Sequence, residues 1–284
     1  MLATPLCPLL GIDLPIIQAP IGSATAPALA AAVSNAGGLG MLAVTWQDID
    51  ALRHTLRATR RFTDRPFGVN LVLHWPPVER LAVCLAEGVA MVSFFWGDPA
   101  PYVARVHDAG ALVAHTVASA VEARQAVAAG VDVVVAQGWE AGGHVWGSVA
   151  ALPLIPRVVD AVAPAPVVAA GGIADGRGLA AALALGAAGA WMGTRFLLSE
   201  EAAAHAVYKG TSAGPRKPTR PMPPCSTATG RTRRIARCAT ARSGAGKRRA
   251  ARRPAGAPAK GRRSPSTREG ASWSGTATHF RWWG

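Results

Sequence analysis

Short apolar runs alternate with alanine-rich stretches along the first 209 residues, and this alternation limits the fold more than any other feature. The stretches between the runs have helical spacing, and several end in glycine, as helix C-termini commonly do. Continuous apolar strands that alternate with helices predict a parallel sheet covered on both faces. Eight such units predict an α/β protein of the TIM (β/α)8 barrel type, with a doubly wound open sheet as the alternative. The predicted strands span residues 16–20, 39–44, 67–73, 91–96, 112–117, 131–138, 166–172 and 188–194.

Polar residues and glycines concentrate at the carboxyl ends of these predicted strands. The loops at this end of a TIM barrel form its active site. Packing gives no reason for the concentration, because a core favours apolar residues. We therefore predict that the functional residues lie at this end, among Gln18, Asn70, Gln137, Gly138, Glu140, His144, Gly171, Gly172, Gly193 and Thr194.

The last two units end in "AAGGIADGRG" (169–178) and "WMGTRF" (191–196). Two glycines before a helix start let the backbone approach an anion closely while its N–H groups point toward it. Gly193 and Thr194 add a backbone donor and a hydroxyl. Barrel phosphate sites are frequently built from the loops after strands seven and eight, so we predict that the barrel holds a phosphate-bearing ligand. Asp175 is predicted to be the N-cap of the helix that follows.

The charge of the chain is unevenly distributed. The formal net charge is +14, but residues 210–284 hold 18 Lys and Arg against one acid, so the first 209 residues are slightly acidic. The four cysteines have the spacing of neither a disulfide framework nor a metal site, which predicts a reducing compartment and no metal. The N-terminus lacks the basic flank of a signal peptide, and no apolar run has membrane-spanning length. We expect a cytoplasmic protein without a membrane partner.

Five separated motifs occur in order between about residues 5 and 209. They are "PIIQAPIGSATAPALAAAVSNAGGLG", "FGVNL", "VVAQGWEAGGHVWG", "VVAAGGIADGRG" and "AWMGTRFLLSEEAAAH". Together they resemble the nitronate monooxygenase family, FMN-dependent barrel enzymes formerly called nitropropane dioxygenases. The resemblance implies a flavoprotein with FMN lying across the strand ends. The FMN-binding residues that it implies are Gln18, Ala19, Pro20, Asn70, Gln137, Gly142, Gly171, Gly172, Trp191, Met192, Gly193 and Thr194.

His144 follows a glycine pair in "QGWEAGGHVWG" (137–147) and matches the active-site histidine of this family. A nitroalkane loses its α-proton to give a nitronate anion. A neutral imidazole can take that proton, and a protonated imidazole can stabilise the anion. The resemblance therefore implies that His144 is catalytic in a monooxygenase that oxidises alkyl nitronates with dioxygen. A histidine on a solvated surface loop is the alternative.

Other side chains are candidates for supporting roles. Glu140 is a candidate to orient His144, and a solvated carboxylate is the equal alternative. His115 lies in the fifth predicted strand and is a candidate to approach the cofactor. Trp139 and Trp146 are candidates to wall the pocket and exclude water.

The motifs mostly indicate FMN, so they leave a second oxidoreductase function open. Relatives that share the barrel suggest an NAD(P)H-dependent flavin reductase of quinones or enoyl thioesters. The expected small-molecule partners are a nitronate or nitroalkane with dioxygen for the first function, and NAD(P)H for the second.

Residues 210–284 depart from the family pattern. They are rich in Arg, Ala, Gly, Pro, Ser and Thr without an apolar period, which predicts a disordered basic tail after a barrel domain of residues 1–209. An Arg-rich tail can bind nucleic acid through its phosphates. GC-rich DNA read out of frame gives the same composition, and a one-base shift of "GRTRRIARCA" (230–239) yields a segment similar to the family. A frameshift would make the chain a truncated, inactive member that lacks the usual cover over its flavin.

Overall fold

The computed structural model describes residues 3–213, 225–226, 232–233 and 235–236, and it contains one sheet of eight parallel strands. Each predicted strand contains one of the observed strands, so the predicted order of elements is confirmed. The barrel strands are β1 Ile16–Gln18, β2 Gly40–Ala43, β3 Phe67–Val72, β4 Met91–Phe95, β5 Leu112–Val117, β6 Val133–Gln137, β8 Val167–Ala170 and β9 Gly189–Met192.

Helices follow the barrel strands in sequence and surround the sheet. Two of their N-caps are aspartates: Asp48 accepts a hydrogen bond from the N–H of Ala51, and Asp175 accepts from Arg177 and Gly178. The prediction that Asp175 is an N-cap is thereby confirmed. The α-helices are α1 Leu6–Leu10, α2 Pro27–Asn35, α3 Ile49–Phe62, α4 Val78–Ala86, α5 Ala100–Asp108, α6 Ala120–Ala128, α7 Ala151–Val162, α8 Gly176–Ala184 and α9 Ala206–Ala213, with 3-10 turns at Gly22–Ala24 and Phe196–Leu198.

The sheet closes on itself, which decides between the two predicted architectures. Its strand order is β1-β9-β8-β6-β5-β4-β3-β2, and β1 meets β2 at a parallel bridge between Ile17 and Leu39. The N–H of Gln18 donates to the carbonyl of Leu39 at 2.9 Å, and the N–H of Leu39 donates to Ile16 at 2.9 Å. The fold is therefore a TIM barrel and not an open, doubly wound sheet.

Apolar side chains cover both faces of the barrel strands. On β4, Val92 and Phe94 pack into the core between sheet and helices, whereas Met91 packs inside the barrel with Met41. Because both faces are buried, the strands read as continuous apolar runs without polar alternation. Polar side chains on these strands are therefore exceptions with a structural or functional cause.

His115 is one of these exceptions, and it lies on the helix-facing side of β5. It pairs in register with Phe94 and Val134, both of which belong to the core between sheet and helices. The expectation that His115 approaches a cofactor inside the barrel mouth was therefore wrong, because the pleat directs its side chain outward. Burial lowers the pKa of His115 to about 4, against the opposing effects of Asp98 and of the Phe94 backbone.

This buried imidazole makes stability depend on pH in a defined window. The unfolded chain binds a proton with the ordinary pKa of 6.5 and the folded chain only near 4, so stability falls as pH drops between these values. We expect the wild type to lose about 2 kcal/mol more than His115→Gln between pH 7 and pH 4.5. Urea unfolding at about pH 7 and pH 4.5 measures the difference. Equal losses in the two proteins would contradict it.

Short strands also occur outside the barrel. Strand β7 (Gly143–His144) pairs antiparallel with β12 (Ile235–Ala236), and β10 (Cys225–Ser226) pairs with β11 (Thr232–Arg233). Most of the tail that is predicted to be disordered lies outside the described residues, and so do its proposed frameshift and its nucleic-acid binding. The boundary at residue 209 stays a prediction. Among the described helices, none is both long and apolar enough to cross a membrane.

Candidate active site

Loops from four strands meet at the carboxyl end of the barrel and contact one another through their glycines. A Cβ on Gly142 would lie 3.3 Å from Oγ1 of Thr194, and a Cβ on Gly171 would lie 3.2 Å from the N of Ala141. A Cβ on Gly193 would lie 3.4 Å from the Cβ of Ala19, which follows β1. The structure therefore brings together the glycines that the sequence predicts for the phosphate end of the site.

The backbone at these glycines is free to bind an anion. Gly171 and Gly172 have φ angles of 110° and 69°, in the region that side chains rarely adopt. Within the described residues, the N–H groups of Gly171, Gly172, Gly193 and Thr194 donate no hydrogen bond. Unpaired N–H groups in concave glycine loops are the donors that phosphate groups use.

Polar side chains line the interior of the barrel below this mouth. Asn70 and Ser93 are register partners on β3 and β4, and both alternate with residues of the helix-facing core. Oγ of Ser93 and Oε1 of Gln137 are buried without a hydrogen-bond partner in the described residues. Buried polar atoms usually have partners, so these two atoms indicate a ligand or ordered water. Ser93 was not predicted as a site residue, although a serine inside the apolar run "MVSFFW" (91–96) was a signal.

The first predicted FMN segment also serves the barrel itself. Gln18 is fully buried, and its Oε1 accepts the N–H of Met41 at 3.1 Å, which continues the seam between β1 and β2. Its Nε2 donates to the carbonyl of Ala19. The N–H of Ala19 donates to Met192 at 2.7 Å, whereas Ala19 and Pro20 stay partly exposed at the mouth. Only the backbone and the small side chains of Ala19 and Pro20 in this segment are therefore accessible at the mouth.

The two remaining predicted residues of strand β9 point to opposite faces. Met192 packs on the helix side with Leu179 and Ala190, so its side chain does not reach the mouth. Trp191 is partly exposed and packs against the interior core. Of this pair, the indole is the side chain that a ligand inside the barrel can contact.

His144 lies in an aromatic cluster at the mouth. Its ring centroid is 5.0 Å from that of Trp96 and 6.2 Å from that of Phe95. Trp96 has a φ of 57°, a left-handed conformation that is strained for a large side chain and that typically marks a functional site. Although His144 is exposed to solvent, partial burial of its ring lowers its pKa below 6.5. The imidazole is therefore neutral at pH 7 and able to accept a proton.

The carboxylates near His144 have other partners than the imidazole. Both oxygens of Glu140 accept the N–H of Ala151 at 3.0 Å at the start of α7. Glu140 was a candidate to orient His144, but its carboxylate caps this helix instead. The side chain of Gln137 holds the loop, since its Nε2 donates to the carbonyl of His144 at 3.2 Å. Trp146 packs on Phe95 with ring centroids 4.9 Å apart, so this indole belongs to the same aromatic cluster.

A cavity elsewhere in the barrel has no features of an active site. It measures about 530 Å³ and lies at the amino ends of β8 and β9, where Thr4, Val159, Pro164 and Ala188 line it. None of its lining residues is titratable. The described residues also contain no cluster of His, Cys, Asp and Glu that can hold a metal ion.

A closed barrel whose histidine and glycine loops meet at the carboxyl ends of the strands has the arrangement that TIM-barrel proteins use for their active sites. The family model for nitronate monooxygenase matches residues 3–79 and 74–217. The chain therefore belongs to the nitronate monooxygenase family, whose members are flavin enzymes. This confirms the resemblance found in the five sequence motifs.

Known proteins of more than one activity are similar to the chain. It is 44% identical over 203 residues to (3aS,4S,5R,7aS)-5-hydroxy-7a-methyl-1-oxo-octahydro-1H-indene-4-carboxyl-CoA dehydrogenase of Mycobacterium tuberculosis, and the match covers 70% of this chain and 57% of that protein. It is 39% identical over 251 residues to nitronate monooxygenase of Paraburkholderia phytofirmans, covering 72% and 69%. The solved structure of FabK from Thermotoga maritima has a TM-score of 0.71 at 44% identity, covering 73% and 67%. The chain thus spans less than two thirds of the length of the mycobacterial relative.

Proposed function

We propose that this chain is an FMN-dependent oxidoreductase that oxidises alkyl nitronates with dioxygen. The observation that carries the proposal is the placement of His144, a neutral imidazole against Trp96 and Phe95, at the same barrel mouth as the unpaired N–H groups of the glycine loops. Similarity to a curated nitronate monooxygenase over 72% of the chain supports it.

The residues at the mouth fit FMN. The free N–H groups of Gly171, Gly172 and Gly193 suit a phosphate, and Gly142 leaves room beside Thr194 for the ribityl chain. The polar edge of a flavin ring offers both donors and acceptors, which Asn70, Gln137 and Ser93 can match. When bound, FMN supplies the two-electron redox chemistry, whereas the protein binds and orients the substrate. These assignments rest on unpartnered polar atoms and on space left by glycines.

His144 acts on the proton of the substrate. With its pKa lowered by partial burial, a ring nitrogen is unprotonated at pH 7 and can accept the α-proton of a nitroalkane. The resulting imidazolium then stabilises the negative charge on the nitro oxygens. Phe95 and Trp96 exclude water from part of the ring, which strengthens this electrostatic interaction.

A second function on the same barrel is the NAD(P)H-dependent reduction of quinones or enoyl thioesters. Its support is the mycobacterial relative, whose name describes a dehydrogenase of a coenzyme A thioester and which is 44% identical to this chain. Both functions use the same proposed FMN site. They differ in what delivers electrons to the flavin, which is the substrate itself in the first case and NAD(P)H in the second.

Two measurements on the full chain test the proposal. After incubation with FMN and desalting, we expect the protein to keep flavin absorption bands and to consume dioxygen with an alkyl nitronate in the absence of NADH. Gly171→Ala should weaken FMN binding by about tenfold or more, because its Cβ would approach Ala141 and its φ of 110° disfavours a side chain. The matched control is Gly176→Ala, whose Cβ meets nothing within 4 Å.

The outcomes separate the candidate functions. A colourless protein after desalting would contradict FMN binding and with it both flavin functions. A yellow protein that oxidises NADH with a quinone or an enoyl thioester, and leaves nitronates unchanged, would favour the second function over the first.

A further inference from the structure

The loop that carries His144 is held in place by contacts outside itself. This loop, residues 138–150 between β6 and α7, is here called the His144 loop. Gln137 donates to the carbonyl of His144 at its base, and β12 pairs with Gly143 and His144 along one edge. A third anchor comes from helix α6, and it contacts the side chain of Trp146 rather than the backbone of His144.

Helix α6 begins with a capping box that has an unusual second half. Oγ of Ser119 accepts the N–H of Glu122 at 3.2 Å, as expected for the pattern Ser-x-x-Glu. The Glu122 side chain turns back, but its Oε2 accepts the N–H of Ala118 at 2.6 Å instead of that of Ser119. Its other oxygen, Oε1, accepts the indole Nε1–H of Trp146 at 3.3 Å. One carboxylate thus joins the start of α6 to the His144 loop.

The contact continues from Trp146 to the imidazole. The Trp146 ring meets Phe95 edge to face at 4.9 Å and 83°, and Phe95 lies 6.2 Å from the ring of His144. The neighbouring residue Gly147 lies close to the loop before α6, since a Cβ there would lie 2.6 Å from the Cβ of Ala118. The indole therefore lies between an acceptor on α6 and an aromatic side chain that contacts the ring of His144.

We infer that Glu122 is a positioning residue for His144, acting through the hydrogen bond to Trp146 that fixes the His144 loop against Phe95. This inference rests on the proposed role of His144 in the reaction. Catalytic groups lose about a hundredfold in rate when misplaced by about 1 Å, so an anchor of the loop has a catalytic effect without touching the substrate.

Two variants break the anchor from opposite sides. Glu122→Gln replaces one carboxylate oxygen with an NH2 group, so either the Ala118 N–H or the indole N–H loses its own acceptor oxygen. Trp146→Phe removes the indole donor, keeps an aromatic ring against Phe95 and leaves the capping of α6 intact. Glu79→Gln is the matched control, because Glu79 is also in the first turn of a helix and its side chain has no hydrogen bond or ion pair among the described residues.

The position of the loop is measured without substrate, by NMR of the histidine ring protons in the full chain, with and without added FMN. His144→Asn identifies the resonance of His144, which the rings of Trp96 and Phe95 shift from its random-coil position. We expect this resonance to move toward random coil in Glu122→Gln and in Trp146→Phe, and to stay in Glu79→Gln. Trp75→Phe should move His74 instead, since the rings of Trp75 and His74 lie 4.8 Å apart.

Kinetics then show whether the displaced loop matters for the reaction. We expect kcat to fall about tenfold in both variants with KM and FMN affinity unchanged, and the double variant to be no slower than Trp146→Phe. A lower stability of Glu122→Gln with an unmoved His144 resonance in both variants would make Glu122 a helix cap only and overturn the inference. If the wild type oxidises no nitronate, the proposed function fails, but the resonances still decide whether Glu122 positions the loop.

Discussion

Replacing His144 with asparagine is expected to lower kcat/KM for a neutral nitroalkane by about 10² to 10⁴, the range of a lost general base. Asparagine fills a similar space but cannot take the α-proton. A preformed nitronate has already lost that proton, so its oxidation should fall much less. Steady-state dioxygen consumption with the two forms of one substrate measures the difference, and FMN should remain bound.

The pH profile gives the same prediction a second measurement. Partial burial lowers the pKa of His144, so the acid limb of kcat/KM should lie at lower pH than the titration of a free imidazole. This acid limb should disappear in His144→Asn, whereas His54→Asn, an exposed position on α3, should keep the wild-type profile. Equal losses for nitroalkane and nitronate would show that His144 does not act as the base.

Replacing Gly40 with alanine is expected to cost about 3 kcal/mol or more of unfolding free energy, the upper range for overpacking a core. A Cβ at Gly40 would lie 1.9 Å from the carbonyl oxygen of Ala30 and 2.5 Å from its carbonyl carbon. Both atoms are backbone, so helix α2 must move away from β2 to make room. Urea unfolding followed by far-ultraviolet circular dichroism measures the loss.

Gly176→Ala is the control for this loss. Gly176 is the first residue of helix α8. A Cβ there would have no neighbour within 4 Å, and its φ is not positive. Alanine there should keep or slightly raise stability, since glycine is the poorer helix former. A Gly40→Ala protein as stable as wild type would mean that α2 does not pack on β2 as closely as described.

The order of strands and helices was predictable from the sequence because both depend on neighbours in the chain. The continuous apolar runs predicted buried parallel strands, and eight of them predicted a barrel. Glycines at positive φ, such as Gly171 and Gly172, mark places where the backbone itself binds or turns. Such positions can be recognised in a sequence because glycine is the residue that adopts this conformation readily. Asp175 was recognisable as an N-cap because its partners are two and three residues away.

The partners of individual polar side chains were decided only by the tertiary structure. Glu140 binds the start of α7. Glu122 binds Trp146, 24 residues away, because the paired strands β5 and β6 place the loops that follow them side by side. His115 faces the helices. Successive side chains of a strand point to opposite faces, so the register of β5 decides whether His115 points into the barrel or away from it.

The sequence by itself thus determined the barrel, its glycine-rich mouth and the family, since local patterns and motifs carry that information. The tertiary structure decided which carboxylate caps a helix, which one holds the His144 loop, and how far the ring of His144 is removed from water. Those outcomes depend on contacts between distant segments, and such contacts leave no periodic signal in the chain.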